Sequence, residues 1–378
     1  MAPQIHLHFL VLFIVIFSCC CSVLVQSQVP NNQTFQLINQ GEYHNKLDEY
    51  GSNFRTGGLA KPYENSMAYL IRSKLVTYTF GLYFYNTTPD AYVLGIAGGN
   101  MGGTLKWIWE ANRNHPVREN ATLTFGTKGN LVLADVDGSV VWHTDTADKG
   151  VTGISMQTNG NLVLHNKKGK FIWQSFHHPT DTLAVSQSLE LKGNTQLVSR
   201  TSNRDSHDGH YSIIIDDKKG FIMYQNTSGN LVQYAGWEAK GLSNVTFRAI
   251  TRIDPVQPPP GPPDYYQYTE AKGKTSYFLS LAGTPSTKRV ILAMTDYYHY
   301  QYYSFLRLES DGNLVAYSYI MPAAHPFDAH WRKTYAFFGD TVKECALRSK
   351  CGSSGKCYGR LCSACPRNGS LGCMISTS

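Results

Sequence analysis

Between residues 28 and 344 the sequence contains no cysteine. Whatever folds there must be held by packing and hydrogen bonds, with no disulfide staples. After the first 27 residues no stretch approaches the ~20 consecutive apolar residues needed to span a bilayer, so no membrane span is expected after signal cleavage. Catalytic signatures are also missing. There is no Gly-X-Ser-X-Gly elbow, no His-Glu-X-X-His zinc helix and no phosphate-cradling glycine loop. The formal charge is +7, but its basic residues are scattered. The densest group, Lys167, Lys168 and Lys170, sits in an expected turn. Nucleic acid is therefore not expected as a partner; a mildly basic surface suits an acidic polysaccharide or is simply solvated. The sequence reads as a non-enzyme with no cofactor and no metal site.

The first 27 residues read as a secretory signal. An apolar run from Phe9 to Phe17 is followed by Ser18 and Cys19 to Cys21, with cleavage expected before Gln28. The n-region lacks Lys and Arg, and a retained anchor is the competing reading. Export agrees with six sequons, at Asn32, Asn86, Asn120, Asn226, Asn244 and Asn368. It agrees also with the six cysteines crowded into the tail: Cys345, Cys351, Cys357, Cys362, Cys365 and Cys373. An even set in an exported chain reads as disulfides of open connectivity. Half a zinc site at Cys362 and Cys365 would need a reducing compartment and a second ligand pair.

An internal repeat is the clearest feature present. Gly129-Asn130-Leu131-Val132-Leu133 recurs as Gly160-Asn161-Leu162-Val163-Leu164, and each copy is followed by a tryptophan, Trp142 and Trp173. Both markers are offset by 31 residues (161 − 130 and 173 − 142). Short apolar runs broken by Gly, Asn and Asp predict antiparallel strands joined by tight turns. One such meander cannot bury its own apolar face, so the copies must pack around a shared axis. Related phrases occur at Gly229-Asn230 and Gly312-Asn313. The fold class is all-β.

Residues 28–70 are polar, with a candidate strand at Thr34 to Ile38. Strand-like runs cover Tyr69 to Tyr85 and resume near Gly209. Six prolines between Pro255 and Pro263 exclude a sheet interior and predict a polyproline II loop. A tyrosine-rich run, Tyr297 to Tyr303, suits strand packing or, as a sharper alternative, oxidative cross-linking. His177, His178 and Asp181 could suggest a metal or a base, or be a structural turn.

Three long phrases carry a resemblance: Trp107 to Val117, the Gly-Asn-Leu-Val-Leu repeats, and Trp173 to Thr182. Together they resemble bulb-type (monocot mannose-binding, curculin-like) lectin domains. Phe84 to Pro89 and Asn114 to Gly126 make the chain similar, within that family, to plant epidermis-specific secreted glycoproteins. The resemblance spans roughly residues 35–366. It implies β-prism II domains of three four-stranded sheets, two in tandem: a signal at 1–27, an N-terminal extension at 28–70, a lectin domain at 71–190, a degenerate lectin-like domain at 195–338, and a Cys-rich tail at 339–378 resembling the start of an EGF-like/PAN region. The family's sugar motif is Gln-X-Asp-X-Asn-X-Val-X-Tyr, whose alternate residues share one strand face. The amides and carboxylate hold vicinal hydroxyls, and the valine packs on the sugar.

Carried over position by position, the motif survives unevenly. The first copy has Gly126, Lys128, Asn130, Val132 and Ala134, losing Gln, Asp and Tyr. The second has Gln157, Asn159, Asn161, Val163 and His165. The third has Asn226, Ser228, Asn230, Val232 and Tyr234, with a sequon at its first position. The fourth has Glu309, Asp311, Asn313, Val315 and Tyr317, departing only by Glu for Gln. Gly-Asn would also serve a sugar-free turn, with Val and Leu filling the core. The expectation is a secreted cell-wall or apoplastic glycoprotein with weak or vestigial binding of mannose-type glycans or wall polysaccharides, or else a structural wall protein on the same scaffold.

Overall fold

The computed structural model describes residues 34–40, 80, 82–85, 90–99, 105–202, 205–252, 273–283, 287–295, 303–320, 330–339 and 347, and the backbone alone of Ile253 and Asp296. Of the short strands Ser27–Gln28, Tyr43–His44, Asn53–Arg55, Arg72–Leu75, Lys356–Tyr358 and Leu361–Ser363, and of the rest of Tyr78–Thr88, it describes the backbone. Among the described residues the regular structure is β, apart from one 3₁₀ turn at Ser175–His177. No helix among them is long and apolar enough to cross a membrane.

Six sheets form two sets of three. In the first set, sheet 1 is built from Tyr43–His44, Asn53–Arg55, Tyr78–Thr88, Ala91–Gly99 and Lys106–Glu110, with Arg72–Leu75 paired to Tyr78–Thr88. Sheet 2 joins Phe35–Ile38, Thr122–Phe125, Leu131–Ala134 and Val140–His143. Sheet 3 joins Ser27–Gln28, Gly153–Met156, Leu162–His165 and Phe171–Gln174. In the second set, sheet 4 is the meander Gln196–Ser202, Asp205–Asp216, Gly220–Thr227 and Asn230–Glu238. Sheet 5 joins Ser188–Glu190, Leu242–Ile253, Gly273–Gly283 and Thr287–Asp296. Sheet 6 joins Thr182–Ala184, Tyr303–Leu308, Leu314–Ile320 and His330–Ala336.

The two sets share one topology. In each, the first strand of the unit edges the last sheet, the second strand edges the middle sheet, and the first sheet forms between them. This closes each prism by tying its earliest residues to its latest hairpins. The physical driver is visible in sheet 2, where Leu123, Phe125, Leu131 and Leu133 are 0–2% exposed while Thr122, Thr124, Val132 and Ala134 face outward. A four-residue strand buries only two side chains on one face. Three sheets around one axis are needed to make a core.

Two boundaries differ from expectation. Phe35–Ile38 is an integral strand of sheet 2, with Phe35 buried 5.9 Å from the ring of Phe125, so residues 28–70 are not merely an extension. Thr182–Ala184 pairs with Tyr303–Leu308, and Ser188–Glu190 with Leu242–Ile253. The second unit therefore begins at Thr182, not after residue 190, because those strands are its closing edges. The proline tract connects Leu242–Ile253 to Gly273–Gly283 and lies outside the described residues, as do the signal up to residue 26, Tyr297 to Tyr302, Asn32, Asn368, Cys345, Cys351, Cys365 and Cys373. Cys357 and Cys362 are opposed in a two-stranded ladder, described by backbone only. Asn120 and Asn226 are exposed and Asn244 is half-buried.

Candidate functional site: the Gly-Asn hairpins and the junction of the two prisms

At the first, second and fourth Gly-Asn phrases the glycine has positive φ (+76° at Gly129, +85° at Gly160, +86° at Gly312). Space as well as torsion demands it: a Cβ on Gly160 would sit 2.8 Å from Ile108 and Phe80. The asparagine that follows has one job in all three hairpins. Its Oδ1 accepts a backbone N–H from the chain leaving the next strand: Thr146 N for Asn130 (3.0 Å), Phe176 N for Asn161 (3.2 Å) and Phe338 N for Asn313 (3.0 Å). Asn161 Nδ2 also donates to Gln174 Oε1 at 2.7 Å, and Asn313 Nδ2 to the Phe338 carbonyl at 3.4 Å. Each side chain is a staple between strands. The Gly229-Asn230 phrase is different, because it joins the third and fourth strands of sheet 4 and not the second and third. Its residues Asn226 to Tyr234 are out of register with the motif.

The outward faces that would meet a sugar differ sharply among the hairpins. On sheet 6, Leu306, Leu308, Leu314 and Ala316 face the second core, while Tyr303, Phe305 and Tyr319 join the first. Val315 shares that second face and is 1% exposed. Tyr317 donates to Glu309 Oε1 at 2.8 Å, its ring lies 4.3 Å from Lys106 Nζ, and the Asp311 carboxylate caps Asn313 N at 2.8 Å. Tyr317 thus packs against the first prism and holds Glu309 beside it, while Asp311 and Asn313 bond within their own unit. On sheet 3, Asn161, Val163 and His165 are 4%, 0% and 7% exposed. Gln157 donates to Ser155 Oγ at 3.1 Å, and Asn159 Oδ1 accepts from Asn161 N at 3.2 Å. Two Gly-Asn hairpins present an open outward face: that of sheet 2, the copy without Gln, Asp and Tyr, and the out-of-register Gly229-Asn230 hairpin of sheet 4, where Asn226, Ser228, Asn230 and Val232 are exposed.

The contact that closes sheet 6 rests on a β-bulge. Ile96 pairs with Trp109 but Ala97 with Trp107, so Ile108 is the extra residue. The bulge turns Trp107 and Trp109 to opposite faces of one strand. Trp109 enters the first prism and meets Trp142 and Trp173, one tryptophan from each sheet, with ring centroids 5.7, 6.0 and 5.8 Å apart and edge to face. Trp107 faces the second prism, stacked on Tyr85 at 4.0 Å, and its carbonyl accepts from Arg307 Nη2.

Around Trp107 lies a buried ion network absent from the sequence-based expectations. Arg200 Nη2 bonds Glu110 Oε1, which also accepts from Tyr85 OH at 2.6 Å. Asp181 is approached by Arg200 (3.4 Å), Arg113 (3.6 Å) and Arg307 (4.0 Å). Glu110, Asp181, Arg113, Arg200 and Arg307 are each no more than 6% exposed. Burial pulls the Asp181 carboxyl upward, but the three guanidiniums and the Thr182 hydroxyl outweigh it and hold it below the usual carboxylate value. Burial, reinforced by Glu110, pushes the Tyr85 phenol well up. Glu110 and Arg113 lie in the Trp107 to Val117 phrase and Asp181 in the Trp173 to Thr182 phrase. Their presence in those phrases was the available signal, but nothing in either phrase names the partner Arg200. Asn114 and Asp208 add a reciprocal pair of 2.8 Å bonds across the same junction. Among the described residues no cluster of metal-ligating side chains occurs, and His178 stacks on Trp173.

Tandem three-sheet β-prisms with stapled Gly-Asn hairpins define a bulb-type lectin scaffold, and the D-mannose binding lectin family model matches residues 106–204. The chain is 41% identical over 357 residues to EP1-like glycoprotein 2 of Arabidopsis thaliana, covering 91% of this chain and 74% of that protein. It is 37% identical over 363 residues to the epidermis-specific secreted glycoprotein EP1 of Daucus carota (89% and 84%). A shorter match, 34% over 134 residues, reaches the G-type lectin S-receptor-like serine/threonine-protein kinase SD2-5 of Arabidopsis thaliana (35% and 16%). The chain belongs to the bulb-type lectin family, among its EP1-like glycoproteins.

Proposed function

We propose that this chain is an extracellular, N-glycosylated glycoprotein of the plant cell wall or apoplast, non-catalytic, in which the mannose-type motif has become structural. One observation carries the reading: Val163 and Val315, which would pack on a sugar, are 0% and 1% exposed. The two open hairpins lack the motif: that of sheet 2 has Gly126, Lys128 and Ala134 where Gln, Asp and Tyr are needed, and that of sheet 4 has Asn226 and Ser228 in place of Gln and Asp, with a sequon at Asn226. Burial of Val315 costs nothing when prism packs on prism, whereas a sugar there would have to displace Lys106 from Tyr317. The exposed sequons at Asn120 and Asn226 suit glycans that stand clear of the junction.

The test is a mannose-glycan array probed with residues 28–378. The expected result is no mannose-dependent signal, and none gained in Glu309→Gln, which restores the motif's carboxamide. Mannose-type binding that disappears in a stably folded Asp311→Ala variant would overturn the reading and establish a working lectin site at Glu309 to Tyr317.

A further inference from the structure

The three-tryptophan ring does more than fill the first prism. It floors a cleft of about 550 Å³ at the junction, whose far wall comes from residues 193–198 and Asp208 of the second unit. That volume falls within the roughly 300–1,000 Å³ of small-molecule sites. Trp109 and Trp173 are 5% and 8% exposed, but Trp142 is only half-buried, so one indole meets solvent inside the cleft. Polar groups converge on the same space. Gln196 is exposed on the far wall, with Asn194 and Thr195 beside it half-buried.

We propose that this cleft is a carbohydrate site for a neutral, β-linked hexopyranose oligosaccharide, separate from every Gly-Asn hairpin. The chemistry follows from the lining. An indole face matches the flat C–H face of a pyranose whose ring substituents are equatorial, as in β-linked glucose. The Gln196 carboxamide offers a donor and an acceptor to sugar hydroxyls at the ring edge. Charge narrows the class further. The one Lys or Arg side chain in the lining, Arg113, is already paired with Asp208 at 3.6 Å, and Asp145 at the mouth is paired with Lys149 at 3.5 Å, so the lining offers no spare cation to a uronate. Because one wall belongs to each prism, the site exists only in the tandem chain.

The experiment is calorimetric titration of cellotetraose into residues 28–378, beside mannotriose and tetragalacturonate, with tryptophan fluorescence read in parallel. Saturable cellotetraose binding with an indole spectral change is expected, about tenfold weaker in Trp142→Ala and unchanged in Asp311→Ala. Tetragalacturonate should not bind. If Trp142→Ala fails to fold, the exposed Gln196 on the opposite wall decides the matter through Gln196→Ala, which should weaken binding severalfold. Absence of saturable cellotetraose binding overturns the proposal, whatever mannotriose does. So does wild-type affinity in a folded Trp142→Ala or in Gln196→Ala, dependence on Asp311, or preference for tetragalacturonate.

Discussion

A single carboxamide illustrates how a recognition residue becomes a structural one. Asn130 Oδ1 accepts from Thr144 Oγ1 and Thr146 N, both at 3.0 Å, and ties the turn to residues 14 and 16 positions further along the chain. Its replacement by alanine leaves a backbone N–H without an acceptor, which costs about 1–3 kcal/mol. Urea denaturation should therefore show Asn130→Ala destabilised by that order. Asn130→Asp should be milder, because an acceptor oxygen remains in place. The Gly-Asn dipeptides and their turns were legible in the sequence. That the asparagine side chain points back into the fold was not, since Gly-Asn reads identically whether the amide meets a sugar or a strand.

Among the elements, Phe35–Ile38 shows how far a short strand can outweigh its length. Four residues close sheet 2, with Phe35 against Phe125 and Asn39 N donating to the Ala121 carbonyl at 2.7 Å. Phe35→Ala removes a buried ring from the first core, and a loss of about 3 kcal/mol is expected, measurable as a lowered denaturation midpoint. The segment 106–204 makes a complementary case. It contains the edge strands of the second prism, Thr182–Ala184 and Ser188–Glu190, but lacks Phe35–Ile38 and most of sheet 1. Expressed alone it should give no cooperative unfolding transition by circular dichroism. Strand existence was readable from apolar alternation; strand partnership was not, because Phe35–Ile38 pairs with a segment about 87 residues away (122 − 35).

For the whole molecule, the buried ion network makes the two prisms one structure with a defined acid sensitivity. Asp181 has its carboxyl pKa lowered in the folded state. A carboxylate so depressed contributes stability above its unfolded value of about 3.9, and that contribution is lost as pH falls through the folded value. Thermal melts should therefore fall in midpoint as pH drops below about 4, and this part of the decline should be absent in Asp181→Asn. At pH 7 the same variant leaves three buried guanidiniums short of a counter-charge, which should cost about 3–5 kcal/mol. A melt of Asp181→Asn that matches the wild type at pH 7 would show that the network does not hold the prisms together.

The sequence by itself determined the all-β class, the hairpins with their Gly-Asn turns, the Trp142 and Trp173 repeat, and the resemblance to bulb-type lectins. These are local patterns: a period of two, a glycine where φ is positive, a fixed offset. The tertiary structure alone decided which faces are open. Val132 and Val315 occupy the same place in the same phrase, yet one faces solvent and the other is sealed by the first prism. The difference comes from a bulge at Ile108 and from arginines at 200 and 307 that reach carboxylates 90 and 126 residues away (200 − 110 and 307 − 181). Side-chain exposure is set by what packs across the chain, and no window on the sequence contains both partners.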